Sequence, residues 1–283
     1  MKKHAFAALL AWLFIMTAFA IFISPPRANA ITYGEIDSDN SYSNTGAFIV
    51  KSANTGRIFP LCSGTLIAPN VFLTAAHCTE DFLNRLAPAG FTAFVSFDGL
   101  IPFRDNTDPD TNLIEVTEIV QNPEYNRTRS DSGDMAALIL SEIPEDITPA
   151  TLPTLRLLDE LAERNGLKDA VFTPVGYGLQ DRVVGGGTPF FQNANPVPRM
   201  FASSSFNALN PGFLRLSQNP ATGNGGTCSG DSGGPNFLDL DGQLILVGIT
   251  IGGDTVCRAT SAVYRLDIPS AREFLEQFVD DLP

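Results

Sequence analysis

Cys228-Ser229-Gly230-Asp231-Ser232-Gly233-Gly234-Pro235 sets a serine among glycines, and such a run has the parts for acyl-transfer chemistry. A hydroxyl is a poor nucleophile until a neighbouring base takes its proton, and the carbonyl it attacks becomes an oxyanion that needs fixed N–H donors. Glycines at 230 and 233 allow backbone conformations closed to other residues, so the N–H groups of Gly230 and Ser232 can converge on one oxygen. Ser232 is therefore the candidate nucleophile. A Gly/Ser/Asp loop that merely turns the chain would not need a motif this long.

The base comes from a short inventory, because the chain holds two histidines. His4 falls in a leader described below. His77 lies in Leu73-Thr74-Ala75-Ala76-His77-Cys78, at the end of an apolar, β-rich run, and imidazole is the side chain suited to base chemistry near neutral pH. Asp134 heads Asp134-Met135-Ala136-Ala137-Leu138-Ile139-Leu140, a run apolar enough to be a buried strand. A carboxylate there needs a partner, and orienting a histidine while stabilising its imidazolium form supplies one. Asp131 is the rival, but Ser130-Asp131-Ser132-Gly133 reads as a solvated turn.

In chain order, His77, Asp134 and Ser232 resemble the triad of the chymotrypsin-like (trypsin family) serine proteases, from which the roles of the three groups are carried over. The resemblance continues in Cys62-Ser63-Gly64-Thr65-Leu66-Ile67, in Val175-Gly176-Tyr177-Gly178, where tyrosine replaces the family's tryptophan, and in Leu246-Val247-Gly248-Ile249 and Val263-Tyr264-Arg265. It covers residues 31 to about 280. Gly230-Asp231-Ser232-Gly233-Gly234 also satisfies the looser G-x-S-x-G pattern of α/β-hydrolases, whose histidine follows the serine in the chain. No histidine follows Ser232, and the strand–helix alternation of that fold is missing.

The resemblance implies an all-β fold of two antiparallel six-stranded Greek-key barrels with a C-terminal helix. The first barrel spans about 31–150, the second about 151–268 and the helix about 270–280. It implies an endopeptidase without a cofactor, acting on protein or peptide substrates and open to protein inhibitors. Gly230 and Ser232 would form the oxyanion hole. Gly226 would lie at the base of the primary pocket, beside Thr227, with Gly252 and Gly253 on one wall and Ala262 near the other. No charge sits at Gly226, so cleavage is expected after uncharged, medium or large apolar residues, with Asp254 the nearest acid. Ile31 would become a new N-terminus whose ammonium pairs with Asp231. The four cysteines permit three pairings; the family pattern selects Cys62 with Cys78 and Cys228 with Cys257. Two departures touch the site: Ile251 stands where the family has a serine that bonds the triad aspartate, and Gly252 where it has tryptophan. They leave a second reading in play, a catalytically dormant exported binding protein on the same scaffold.

The elements that must position these groups read as short apolar or alternating runs broken by Gly, Pro, Asn and Asp: 47–50, 61–67, 71–75, 91–97, 113–120, 135–140, 171–175 and 244–251. Residues 155–161 suggest a helical turn, and Ser270 and Glu273 have capping-box spacing ahead of Phe274, Leu275, Phe278 and Val279. Residues 180–226, with Gly185-Gly186-Gly187 and several Asn-Pro steps, are expected to be an exposed loop region. Arg104-Asp105-Asn106-Thr107-Asp108-Pro109-Asp110 is oxygen-rich but reads as a solvated acidic loop rather than a Ca²⁺ site. No C-x-x-C or His-x-x-x-His spacing gathers four ligands, so no metal is expected.

Met1-Lys2-Lys3, the apolar run 5–23 and Ala28-Asn29-Ala30 read as a signal peptide cleaved after Ala30, which places the mature protein outside the cell or in the periplasm, with no stable membrane association. The whole chain carries 18 basic and 31 acidic side chains, and loss of Lys2, Lys3 and Arg27 with the leader makes the mature charge more negative still. Such acidity argues against nucleic acid or an anionic membrane as partner.

Overall fold

Runs rich in β-branched and aromatic residues, each stopped by a turn former, close into two barrels with the same strand order. The computed structural model describes residues 31–102, 111–183, 190–192 and 195–283. The leader 1–30, the acidic stretch around 104–110 and Gly185-Gly186-Gly187 lie outside the described residues.

The first barrel comprises β1 (Thr45–Ser52), β2 (Ile58–Ala68), β3 (Val71–Thr74), β4 (Phe91–Ser96), β5 (Ile114–Gln121) and β6 (Ala136–Leu140). They close in the order β1-β2-β3-β6-β5-β4. Successive strand residues face opposite ways, and on β1 both faces are covered. Phe48 and Val50 enter the barrel core with Leu66, Phe72 and Leu138, while Ala47 and Ile49 pack outside it on Ile101, Tyr177 and Val197. That is why the strand reads as an unbroken apolar run.

The second barrel comprises β7 (Val171–Gly176), β8 (Ser204–Leu209), β9 (Phe213–Ser217), β10 (Pro235–Leu240), β11 (Gln243–Gly253) and β12 (Thr260–Arg265), in the order β7-β8-β9-β12-β11-β10, with β10 returning to β7. Its core is Phe172, Leu214, Leu216, Leu238, Val247 and Val263. A third cluster joins the barrels: Leu73, Met135 and Ala137 of the first meet Val175, Phe237, Leu246 and Tyr264 of the second, together with Phe274 and Leu275.

Three helices flank the barrels: α1 (Ala76–Asp81), α2 (Leu157–Glu163) and α3 (Pro269–Leu275). No helix among the described residues is long and apolar enough to cross a membrane. The start of α2 has no cap from its own sequence; Asp267 Oδ2 reaches across to accept from the Leu158 N–H at 2.8 Å.

Two expectations need correction. Residues 180–226 are not one exposed loop, since β8 and β9 form a hairpin within them and Leu214 and Leu216 are wholly buried. The α3 capping box does not form: the N-cap is Ile268, without a side-chain cap bond, and the Ser270 hydroxyl donates instead to Asp131 Oδ2 at 2.6 Å. Tyr264 donates to the other oxygen of Asp131, also at 2.6 Å. Asp131 is therefore no solvated turn residue but a clamp between the barrels.

Candidate active site

Strand register brings His77 to Asp134. Thr74 ends β3 opposite Ala136 on β6, so the residues just beyond each strand meet at one barrel rim. His77 enters the first turn of α1 there. Its backbone N–H donates to Asp134 Oδ1 at 2.9 Å and its Nδ1 pairs with Oδ2 at 2.9 Å. Asp134 is buried, while the His77 side chain keeps about a fifth of its surface exposed. Both carboxylate oxygens are thus occupied by one residue, which locks the ring's orientation.

Ser232 lies across the cleft, partly exposed, on a loop strapped to the first barrel. Its carbonyl accepts from the Ser63 N–H on β2 at 2.9 Å and lies 3.9 Å from Cys78 Sγ, next to His77. Among the described residues the Ser232 hydroxyl forms no hydrogen bond to His77, a bond that in serine hydrolases often tightens only when substrate is bound.

The N–H groups of the loop fall into two sets. Asp231 donates to Cys228 O, Gly233 to Thr250 O and Gly234 to Asp231 O, at 2.7–3.1 Å. Gly230 and Ser232 donate to no acceptor among the described residues. Gly230 (φ 98°) and Gly233 (φ 79°) sit in the left-handed region that favours glycine. Gly230 and Ser232 thus leave free donors on either side of a residue whose own amide is committed, and the Ser229 N–H is a further one without an acceptor among the described residues.

Asp231 is wholly buried and accepts from the Gly178 N–H at 2.7 Å and the Cys228 N–H at 2.8 Å. Burial pushes its carboxyl up to about 7 against the pull of those two bonds, and no cation pairs with it among the described residues. Its approach explains the Gly-Tyr-Gly run: a Cβ at Gly176 would lie 2.3 Å from Asp231 Oδ1, and one at Gly178 would lie 2.4 Å from Oδ2. Ile31 is also fully buried, against Met200 and Ala202, and Thr32 forms an antiparallel bridge with Gly226.

The disulfides are Cys62–Cys78, joining β2 to α1 beside His77, and Cys228–Cys257, joining the nucleophile loop to the segment after β11. Sulfurs bonded in this way are unavailable as thiolates, so the grouping of Cys62, His77 and Cys78 is not a ligand set.

A cavity of about 240 Å³ opens beside Ser232, lined by Thr227, Ser229, Gly252, Gly253 and Asp254 among others. Gly226 lies behind it with Gln218 occupying the space of its missing side chain: a Cβ there would lie 2.3 Å from Gln218 Oε1. Asp254 turns into its own loop. Burial opposes its charge, but the N–H groups of Ala259, Thr260 and Arg258 and the Gln218 amide hold its pKa below the usual value. On the other side of Gly230, a second cavity of about 290 Å³ is walled by Phe59, Pro60, Leu61, Tyr177 and Leu179. The Tyr177 hydroxyl is tied to the carbonyls of Thr45 and Asp98, and burial drives its pKa up to about 12. Its neighbour Arg199, fully buried, pairs with Asp37 at 2.7 Å. Neither Gln218 nor Arg199 carries a motif that would have marked it in the sequence.

Comparison with known proteins agrees with this architecture. The family model described as Trypsin matches residues 35–272. Vitamin K-dependent protein C of Mus musculus is 29% identical over 207 residues, 68% of this chain and 40% of that protein. A CLIP domain-containing serine protease B15 of Anopheles gambiae is 27% identical over 244 residues, 81% of this chain and 64% of that protein. A trypsin-like protease of Streptomyces glaucescens is 30% identical over 207 residues, 70% of this chain and 67% of that protein. The chain thus spans about two fifths of the length of the protein C that it matches.

Proposed function

Because this chain belongs to the trypsin family of serine proteases, we propose that it is an exported endopeptidase working through an acyl-enzyme on Ser232. His77 takes the hydroxyl proton as Ser232 attacks the scissile carbonyl, and returns it to the leaving amine. Asp134 holds the ring and stabilises its charged form, and the N–H groups of Gly230 and Ser232 receive the oxyanion. The observation that supports this reading is that the amides of Gly230 and Ser232, which flank the committed amide of Asp231, both lack an acceptor among the described residues.

The neutral pocket beside Ser232 favours cleavage after uncharged residues. A cationic side chain would meet Gly226 without a countercharge, and Asp254 is spoken for by four donors. Export rests on the leader 1–30 and on two disulfides, which persist in oxidising compartments. Cleavage after Ala30 would free the amine of Ile31, and a buried carboxylate at Asp231 without a cation is the natural partner for it.

The test is labelling with phenylmethylsulfonyl fluoride followed by peptide mapping. Rapid, stoichiometric modification at Ser232, absent from Ser232→Ala at unchanged melting temperature, is the expected result. A folded mature protein that resists the reagent and cleaves no member of a random peptide library would favour the dormant binding protein, a reading to which the unbonded Ser232 hydroxyl lends its one support.

A further inference from the structure

Ser63 takes no part in the steps above, yet from the first barrel it makes two hydrogen bonds to the loop that carries Ser232. It lies on β2, wholly buried, one residue beyond the disulfide-bonded Cys62. Its hydroxyl donates to the Gly230 carbonyl at 3.0 Å and accepts from the Tyr177 N–H at 3.0 Å. Its own N–H donates to the Ser232 carbonyl at 2.9 Å, and its carbonyl accepts from Thr74 Oγ1 at 2.8 Å. One side chain and one amide thus hold the carbonyls of Gly230 and Ser232, the two residues assigned to the oxyanion.

The consequence follows from backbone geometry. The Gly230 N–H is aimed by the torsions of a residue with no Cβ to restrict it. The disulfide at Cys228 fixes the chain before Gly230, and the Ser63 hydroxyl fixes the carbonyl after it. The Gly230 N–H shares its peptide plane with the Ser229 carbonyl, which accepts from the Leu179 N–H at 2.7 Å, so that bond holds the amide from one side and the Ser63 hydroxyl, by fixing the next plane, holds Gly230 from the other. A hydroxyl is also needed chemically: the site demands a donor to Gly230 and an acceptor for Tyr177 at one atom, and of small side chains only a hydroxyl supplies both.

We propose that Ser63 is a positioning residue for the oxyanion hole, its hydroxyl pinning Gly230 so that the N–H faces the developing oxyanion. This rests on the assignment of Ser232 as nucleophile. The contribution belongs to the transition state, since the ground-state carbonyl asks less of the donor than the oxyanion does.

The experiment compares the mature protein with Ser63→Ala, using p-nitrophenyl acetate as substrate and phenylboronic acid, which forms a tetrahedral adduct on an activated serine, as the probe of the hole. The expected result is a kcat lowered about ten- to a hundredfold, KM within about twofold, and a Ki for the boronic acid raised by a factor similar to the loss in kcat. The pH at which His77 titrates in the rate profile stays where it was. Ser63→Gly, which adds no bulk, is read in the same way if the alanine variant lacks a cooperative melt. A kcat within twofold of the parent, or a loss confined to KM with boronic acid binding unchanged, overturns the proposal while leaving Ser232 as nucleophile. A parent that neither turns over the ester nor reacts with sulfonyl fluoride overturns both.

Discussion

Asp231 shows how one buried charge dictates its neighbours. Its carboxylate fills the space where two side chains would be, so Gly176 and Gly178 are obligatory for a steric reason and not for turn geometry. Gly178→Ala would bring a methyl group to 2.4 Å from Oδ2 and 2.7 Å from the Asp231 backbone nitrogen. Overpacking of this kind costs about 1–3 kcal/mol, and the loop that relieves it is the one carrying Ser232. The expected outcome is a lower melting temperature and esterase activity reduced at least about tenfold, checked on the purified variant; parent-like activity would show that the loop absorbs the clash elsewhere. Residues of this class are legible in a sequence when they repeat a motif, as Ser232, His77 and Asp134 do. Gln218 and Arg199 repeat none, and Ser63 lies in one that does not show its bond to Gly230; each acts through a partner remote in the chain, Gly230 for Ser63, Asp254 for Gln218 and Asp37 for Arg199.

Among the elements, the clamp at Asp131 links a loop of the first barrel to β12 and α3. Tyr264 sits against Phe213 in the inter-barrel core, and burial together with the Asp131 carboxylate raises its phenol well above the ordinary range, so it stays a donor throughout the working pH range. Tyr264→Phe removes one of two bonds to a charged acceptor, a loss of about 1.5–3 kcal/mol. Urea melts of parent and variant at one pH would measure it, and an unchanged midpoint would mean that Ser270 alone satisfies Asp131. Apolar, alternating runs marked β3, β4, β5 and β6 to within a residue at each end, while the expected 47–50 and 61–67 fell short of β1 by two residues at each end and of β2 by three at its start. The hairpin of β8 and β9 was hidden by its surroundings: Asn207, Asn210, Pro211 and Gly212 lie within or beside it, and short strands among such residues read as loop until their partners are known. The capping box failed for a related reason. Its serine had a stronger bond to make with Asp131 from the other barrel.

For the molecule as a whole, the N-terminal segment is the point at which folding and activity meet. With residue 31 in peptide linkage, Asp231 has a folded pKa of about 7 against an ordinary 3.8. A carboxyl raised in this way contributes its full stability below about pH 4 and loses it as the pH rises towards 7, on the order of 4 kcal/mol in total. A protein extended by one residue ahead of Ile31 should therefore lose melting temperature from pH 4 to 7 more steeply than its Asp231→Asn counterpart. The protein beginning at Ile31 should not, because an ammonium reverses the sign of the local field. Parallel pH–melting curves for all three forms would rule out the pairing. The acidic balance of the mature chain, more negative than the −13 of the whole sequence, sets the background for such measurements, since a general acidic repulsion grows over the same range and the asparagine variant subtracts it.

Gln218 lying in the lee of Gly226 has an implication for how this enzyme's preferences can change over evolutionary time. Gaining a taste for arginine or lysine by the shortest route, a single acidic replacement at 226, is barred, since the newcomer's first carbon would collide with an amide already seated there. Removing that amide first strips Asp254 of one donor and loosens the loop. The Gln218 Cβ would also lie 2.4 Å from the newcomer's first carbon, so shortening that side chain does not make room, and the neutral pocket proposed above is guarded by crowding at 226.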